Sequence, residues 1–180
     1  LEHLPWPTAF KALAEWARVL RRGGVLRVAV PDLAALGAML AEGRNAWGAA
    51  GLIYGLGRLT NPLEAHQYGY TRGMLLEVLR SLGFGGFGWW KHDLPDASNG
   101  WLPDDAGNRI AMSLNISAEK QTDPVVSPEV LLAQLTATPM MPFGQAVTNC
   151  LGAERQACSP AAETDPLLTQ QLHYALIEAR

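Results

Sequence analysis

An α/β fold is predicted for this chain by three observations. Over residues 1–36 a helix, a glycine stop, a buried strand and a Pro-Asp turn into another helix follow one another. Val25–Val30 is apolar apart from Arg27, as a strand covered on both faces would be. Ile110, Met112, Leu114 and Ile116 alternate with polar residues at period two, the mark of a strand with one dry face. Helices interleaved with strands layer on a single sheet.

The elements follow in order. Pro7 suits the first turn of a helix, where a missing N–H costs nothing. Phe10, Leu13, Ala14, Ala17 and Leu20 recur at helical spacing, and Arg21 and Arg22 sit where cations favour the dipole. Gly23-Gly24 is expected to end that helix. Pro31 ends the strand. Asp32 is placed to cap a helix with Leu33, Leu36 and Leu40 inward. Residues 45–60 carry four glycines and predict a broken helix or a loop, with Trp47, Ile53 and Tyr54 packed on the sheet. Thr71 caps a helix containing Met74, Leu75, Val78, Leu79 and Leu82, which Gly83 ends. Residues 84–91 are a glycine-weakened strand with Trp89 and Trp90 on opposite faces. A polar loop over 93–108 leads to a strand at 110–118. Beyond Lys120 the composition shifts: a linker, a short helix over 128–135 capped by Ser127, a small polar stretch over 149–164 and a helix over 167–180.

Composition narrows the function. Apolar residues make up 48% and charged residues 17% of the chain, which is globular. Net charge is −3 with no basic stripe, so nucleic acid is not an expected partner. No apolar run approaches the ~20 residues of a membrane helix. Cys150 and Cys158 read as free thiols of a cytoplasmic protein, and no residue set has metal-ligand spacing, so no metal is expected.

The run EHLP, then RVLRRGG, then VLRVAVPDL resembles the class I S-adenosylmethionine-dependent methyltransferases, within the broad methyltransferase-domain group. EAHQYGYT before a helix, and the closing SLNISAEK, are similar to that family's His-aromatic segment and last hairpin strand. The resemblance implies a Rossmann-like three-layer fold over 1–120 and a linker with a helical or irregular extension over 121–180. It implies strands at 25–30, 84–91 and 110–118 in the spatial order first, third, second, the last antiparallel to its neighbours. It also implies a right-handed crossover through the 71–82 helix.

Methyl transfer requires a bound donor, an acceptor held in line and, for some acceptors, a base. The family's donor site needs a Gly-rich turn after one strand and an acidic residue after the next, and neither is in this sequence. The expectation is therefore the C-terminal half of the domain, inactive alone. The cofactor is S-adenosylmethionine, and the acceptor is an oxygen or nitrogen of a small molecule such as a sugar or glycan precursor. On this reading His3 and His66 are catalytic. Glu2 and His3 face the cofactor. Pro31, Asp32, His66 and Tyr68 face the substrate. Plainer roles stand beside these: a helix cap for Asp32, a structural loop residue for His66 and a hinge for His3. A non-catalytic methyltransferase-like scaffold in a multidomain protein is the alternative function. A nucleotide-dependent oxidoreductase fits less well, because the Pro-Asp turn and the closing strand follow the methyltransferase arrangement. With a neighbouring strand missing, the edge at 25–30 is expected to recruit other chains and cause self-association.

Overall fold

The computed structural model describes residues 1–55, 57, 61–90 and 100–157. Expectations for residue 91, 93–99, Cys158 and the 167–180 helix lie outside the described residues. The chain is a mixed α/β structure. In order it forms α1 (Trp6–Val19), β1 (Val25–Pro31), α2 (Leu33–Ala41), α3 (Ala46–Tyr54), α4 (Arg72–Ser81), β2 (Phe84–Trp89), β3 (Trp101–Pro103), β4 (Arg109–Ala111), β5 (Ser113–Lys120), α5 (Pro128–Ala137) and α6 (Phe143–Ala157).

The main sheet has the order β1-β5-β2, and β5 runs antiparallel to both neighbours. The register sets Val28 opposite Ile116 and Phe84 opposite Lys120. β1 and β2 therefore run the same way, in the expected spatial order. A second, two-stranded antiparallel sheet is made by β3 and β4. The ladders between these strands are all antiparallel.

Period two along β5 buries Leu114, Ile116 and Ala118 on one face, and β1 adds Val28 and Val30. Phe10, Leu13 and Ala17 of α1 and Leu75, Val78 and Leu79 of α4 close over that face. Leu131 and Leu132 of α5 and Ala146 and Cys150 of α6 join the same core. α5 packs on α1, and α6 on α4. A smaller core gathers Leu36, Met39, Ala49 and Met112, flanked by Leu52, Ile53, Leu102 and Ile110. It joins α2, α3 and the hairpin β3–β4. Asn45, left-handed at φ 41°, ties these parts together by donating Nδ2–H to the Pro103 carbonyl at 2.8 Å.

Several expectations are corrected. β1 is buried on one face only: Val25 and Arg27 are exposed. The inner face of α2 is Leu36 and Met39, three residues apart, and Leu40 points outward. Trp47 is 91% exposed and Tyr54 54%, because α3 packs on α2 and the hairpin through Ala49, Leu52 and Ile53. Part of the 93–108 loop is the strand β3. The strand read over 110–118 is two elements that part at Met112: Ile110 pairs with Leu102, and β5 begins at Ser113. α1 ends at Val19, ahead of Gly23-Gly24. The glycine pair instead turns the chain into β1, Gly23 at φ 79° donating its N–H to the Lys120 carbonyl. The stretch from 149 that reads as small and polar continues α6 through Ala157.

Candidate functional site

Three distant segments meet at the C-terminal end of β1. The first is the turn Leu1–Leu4. The second is the β1–α2 junction, where Asp32 forms a parallel bridge with Tyr70 and the Leu33 N–H donates to the Tyr70 carbonyl at 2.9 Å. The third is the segment 66–70 itself. Gln67 and Tyr68 both donate N–H to the Glu2 carbonyl, at 2.7 and 3.2 Å. His66 donates its N–H to the Tyr54 carbonyl. Gly55 makes this approach feasible: at φ 88° it lies where a Cβ would strike the Glu64 carbonyl oxygen.

These backbone bonds bring His3 and His66 edge to face, with ring centroids 4.8 Å apart. His3 is exposed, while Glu2 and His66 are half-buried. Glu2 Oε2 lies 3.0 Å from the Leu1 amino group. Tyr68 stacks on Trp6 at 5.1 Å and meets Tyr70 at 5.3 Å. Burial pushes the phenol of Tyr68 up. Tyr70 is pushed up further, by burial first and then by Tyr68 and the Glu2 carboxylate. Its hydroxyl is buried without a hydrogen-bond partner among the described residues.

Two hollows flank Tyr68. A recess of about 10 Å³ is lined by Pro31, Leu33, Leu52, Ile53, His66 and Tyr68. An open cavity of about 540 Å³ lies on the other side, walled by Trp6, Tyr70, Met74, Met141 and Phe143. It is open to solvent, and its lining is largely apolar with Glu77 and Thr136 among it. No family model, curated protein or solved structure matches this chain.

Of the residues singled out in the sequence, Glu2, His3 and His66 come together, and Pro31, His66 and Tyr68 share the recess. Asp32 is turned into its own helix, where Oδ1 accepts from the N–H groups of Ala34 and Ala35 at 3.0 and 3.4 Å. Sequence reasoning misses Trp6, Tyr70 and the α5–α6 wall. Only the repetition Tyr68-x-Tyr70 signals part of this aromatic cluster.

Among the described residues at the end of β1, the groups do not fit S-adenosylmethionine. Its carboxylate and ribose need free amide donors at a glycine turn and an acidic acceptor. At the end of β1, Pro31 has no N–H and Asp32 already occupies the amides that open α2. Glu2 and His3 alone supply no such cradle.

Proposed function

We propose that this chain is the acceptor-side portion of a class I S-adenosylmethionine-dependent methyltransferase. The substrate would be an oxygen or nitrogen nucleophile on a small molecule, with sugars and glycan precursors in its range, and the setting cytoplasmic. The observation that carries the reading is the meeting of His3, from EHLP, with His66, from EAHQYGYT, beside Pro31 at the C-terminal end of β1. In open, mostly parallel α/β sheets that end is where ligands bind, and we extend this to β1, which runs the same way as β2. The order β1-β5-β2, with β5 reversed, supports the same family.

The residues present have acceptor-side work to do. An imidazole nitrogen can accept a hydrogen bond, so His66 can hold an acceptor hydroxyl and take its proton. Tyr68 and Trp6 offer a flat apolar platform beside it. The groups that would grip the methyl donor are not among these residues, and Asp32 is engaged as a cap. The second of these, the engaged Asp32, favours the alternative reading, a methyltransferase-like scaffold.

Two measurements decide. Calorimetry on the 180-residue chain should show no S-adenosylmethionine binding at micromolar concentration; micromolar affinity would mean that the donor site has been misplaced. In a longer protein that includes a donor site, His3→Ala and His66→Ala should each cut turnover by about 10²-fold or more, the usual worth of a positioned acid or base. Melting temperatures should barely move. Unchanged turnover in both variants would return the histidines to structural roles and leave the scaffold.

A further inference from the structure

We propose that Glu2, His3 and His66 form a site for a divalent transition-metal ion of the zinc class. One potential ligand atom from each of the three lies within 4.8 Å of the other two. No local spacing in the sequence announces such a site, since its members are adjacent residues 2 and 3 and the distant residue 66. The backbone on both sides is fixed. Gln67 and Tyr68 hold the Glu2 carbonyl, and the His66 N–H is held by Tyr54. Only side-chain torsions need to change to close the set. With metal–ligand bonds of ~2.0–2.1 Å, tetrahedral ligand atoms stand about 3.4 Å apart, so closure needs a shift of somewhat over about 1 Å. The exposed His3 has the room to make it.

The donor set selects the ion. Two imidazoles and one carboxylate match zinc sites that keep a position open for water or substrate. Magnesium and calcium prefer all-oxygen shells. Glu2 is half-buried, and its carboxylate supplies one oxygen to the set. The open positions would lie next to the recess bordered by Pro31 and Tyr68. This proposal stands on geometry and goes beyond the methyl-transfer reading. If both hold, His3 and His66 orient an acceptor oxygen through the ion, and His66 then acts as a ligand in place of taking the proton itself.

The test is a calorimetric titration of the 180-residue chain with Zn2+, repeated with Co2+ while recording its visible absorption. The expected result is one equivalent bound at micromolar concentration or below, with Co2+ bands of a low-coordinate nitrogen–oxygen site. Glu2→Gln, His3→Ala and His66→Ala should each weaken binding by about tenfold or more. Thermal melts run beside each variant, and the exposed His3 is the position whose replacement is expected to disturb folding least. Absence of saturable binding below millimolar Zn2+ overturns the site. So does undiminished affinity in His66→Ala, which would place the ion on residues 1–3 alone. Zinc binding in a chain whose longer form transfers no methyl group would overturn the functional reading and leave the metal site standing.

Discussion

Lys120 is 3% exposed, yet it is a cation. Period two along β5 carries it onto the same inward face as Leu114, Ile116 and Ala118. Its ammonium donates to the Ala17 carbonyl at 2.7 Å, one of the last carbonyls of α1, where a positive charge also meets the negative end of the helix dipole. Asp123, 4.0 Å away, sits at the mouth. Lys120→Met keeps the apolar stem and orphans the carbonyl. The expected cost is about 1–3 kcal/mol, seen as a lower urea midpoint with an unchanged slope. Tyr70 is the opposite case, a buried hydroxyl with no bonding partner among the described residues. Above about pH 10 an unfolded chain ionises its tyrosines, while folded Tyr70, with its raised pKa, stays protonated. The folded state then binds more protons than the unfolded one, so stability falls as pH rises past about 10. Tyr70→Phe should be neutral or stabilising at neutral pH and should shift the onset of alkaline unfolding upward. A melting series from neutral to strongly alkaline pH that shows no difference from wild type would remove Tyr70 as the cause.

Helix caps are the most legible feature of the elements. Asp32, Thr71 and Ser127 are each assigned from type and position, and each accepts from an N–H two or three residues on. Asp32→Ala should cost roughly 1 kcal/mol of stability through the lost cap. If capping is its whole role, turnover in a donor-competent protein stays close to wild type; a large loss with a normal melt would restore Asp32 to the substrate site. Strand positions are legible too, since β1 and β5 show apolar runs and period two. Their neighbours are not. The hairpin β3–β4 escapes because Trp101–Pro103 is three residues long, with a proline at its end, and carries no period. Period two runs on without a break through Met112, although the chain changes sheets there. The two histidines are each visible as chemistry. Their meeting is not, because it depends on Glu2 accepting two backbone bonds from 67 and 68.

At the scale of the molecule, α5 and α6 cover the α1 and α4 side of the core and leave β1 at the edge of its sheet among the described residues. The Asp32 N–H reaches Met112, and the Lys120 N–H reaches Gly24. Even-numbered residues of β1 therefore face β5. Val25, Arg27 and Ala29 direct their N–H and C=O groups to the open side. Such an edge pairs with other chains unless it is blunted. Arg27, the single charge in β1, and Pro31, which lacks an N–H, are the blunting devices. Self-association through this edge should be measurable by light scattering as concentration rises, and Arg27→Val should strengthen it. A variant that stays monomeric at the highest soluble concentration would show that the edge is shielded.

The middle place of β5 also has a consequence in time. The strand on which both neighbours hang is the last of the three to be made, and its pairing with Val25 spans residues 25–119. Until residue 120 has left the ribosome, β1 and β2 have no shared partner, and the Ala17 carbonyl has no lysine. Closing loops of that length before any ladder forms is slow. The three-stranded sheet is therefore expected only after β5 is made, and a nascent chain that stops short of Ser113 holds β1 and β2 with no shared partner.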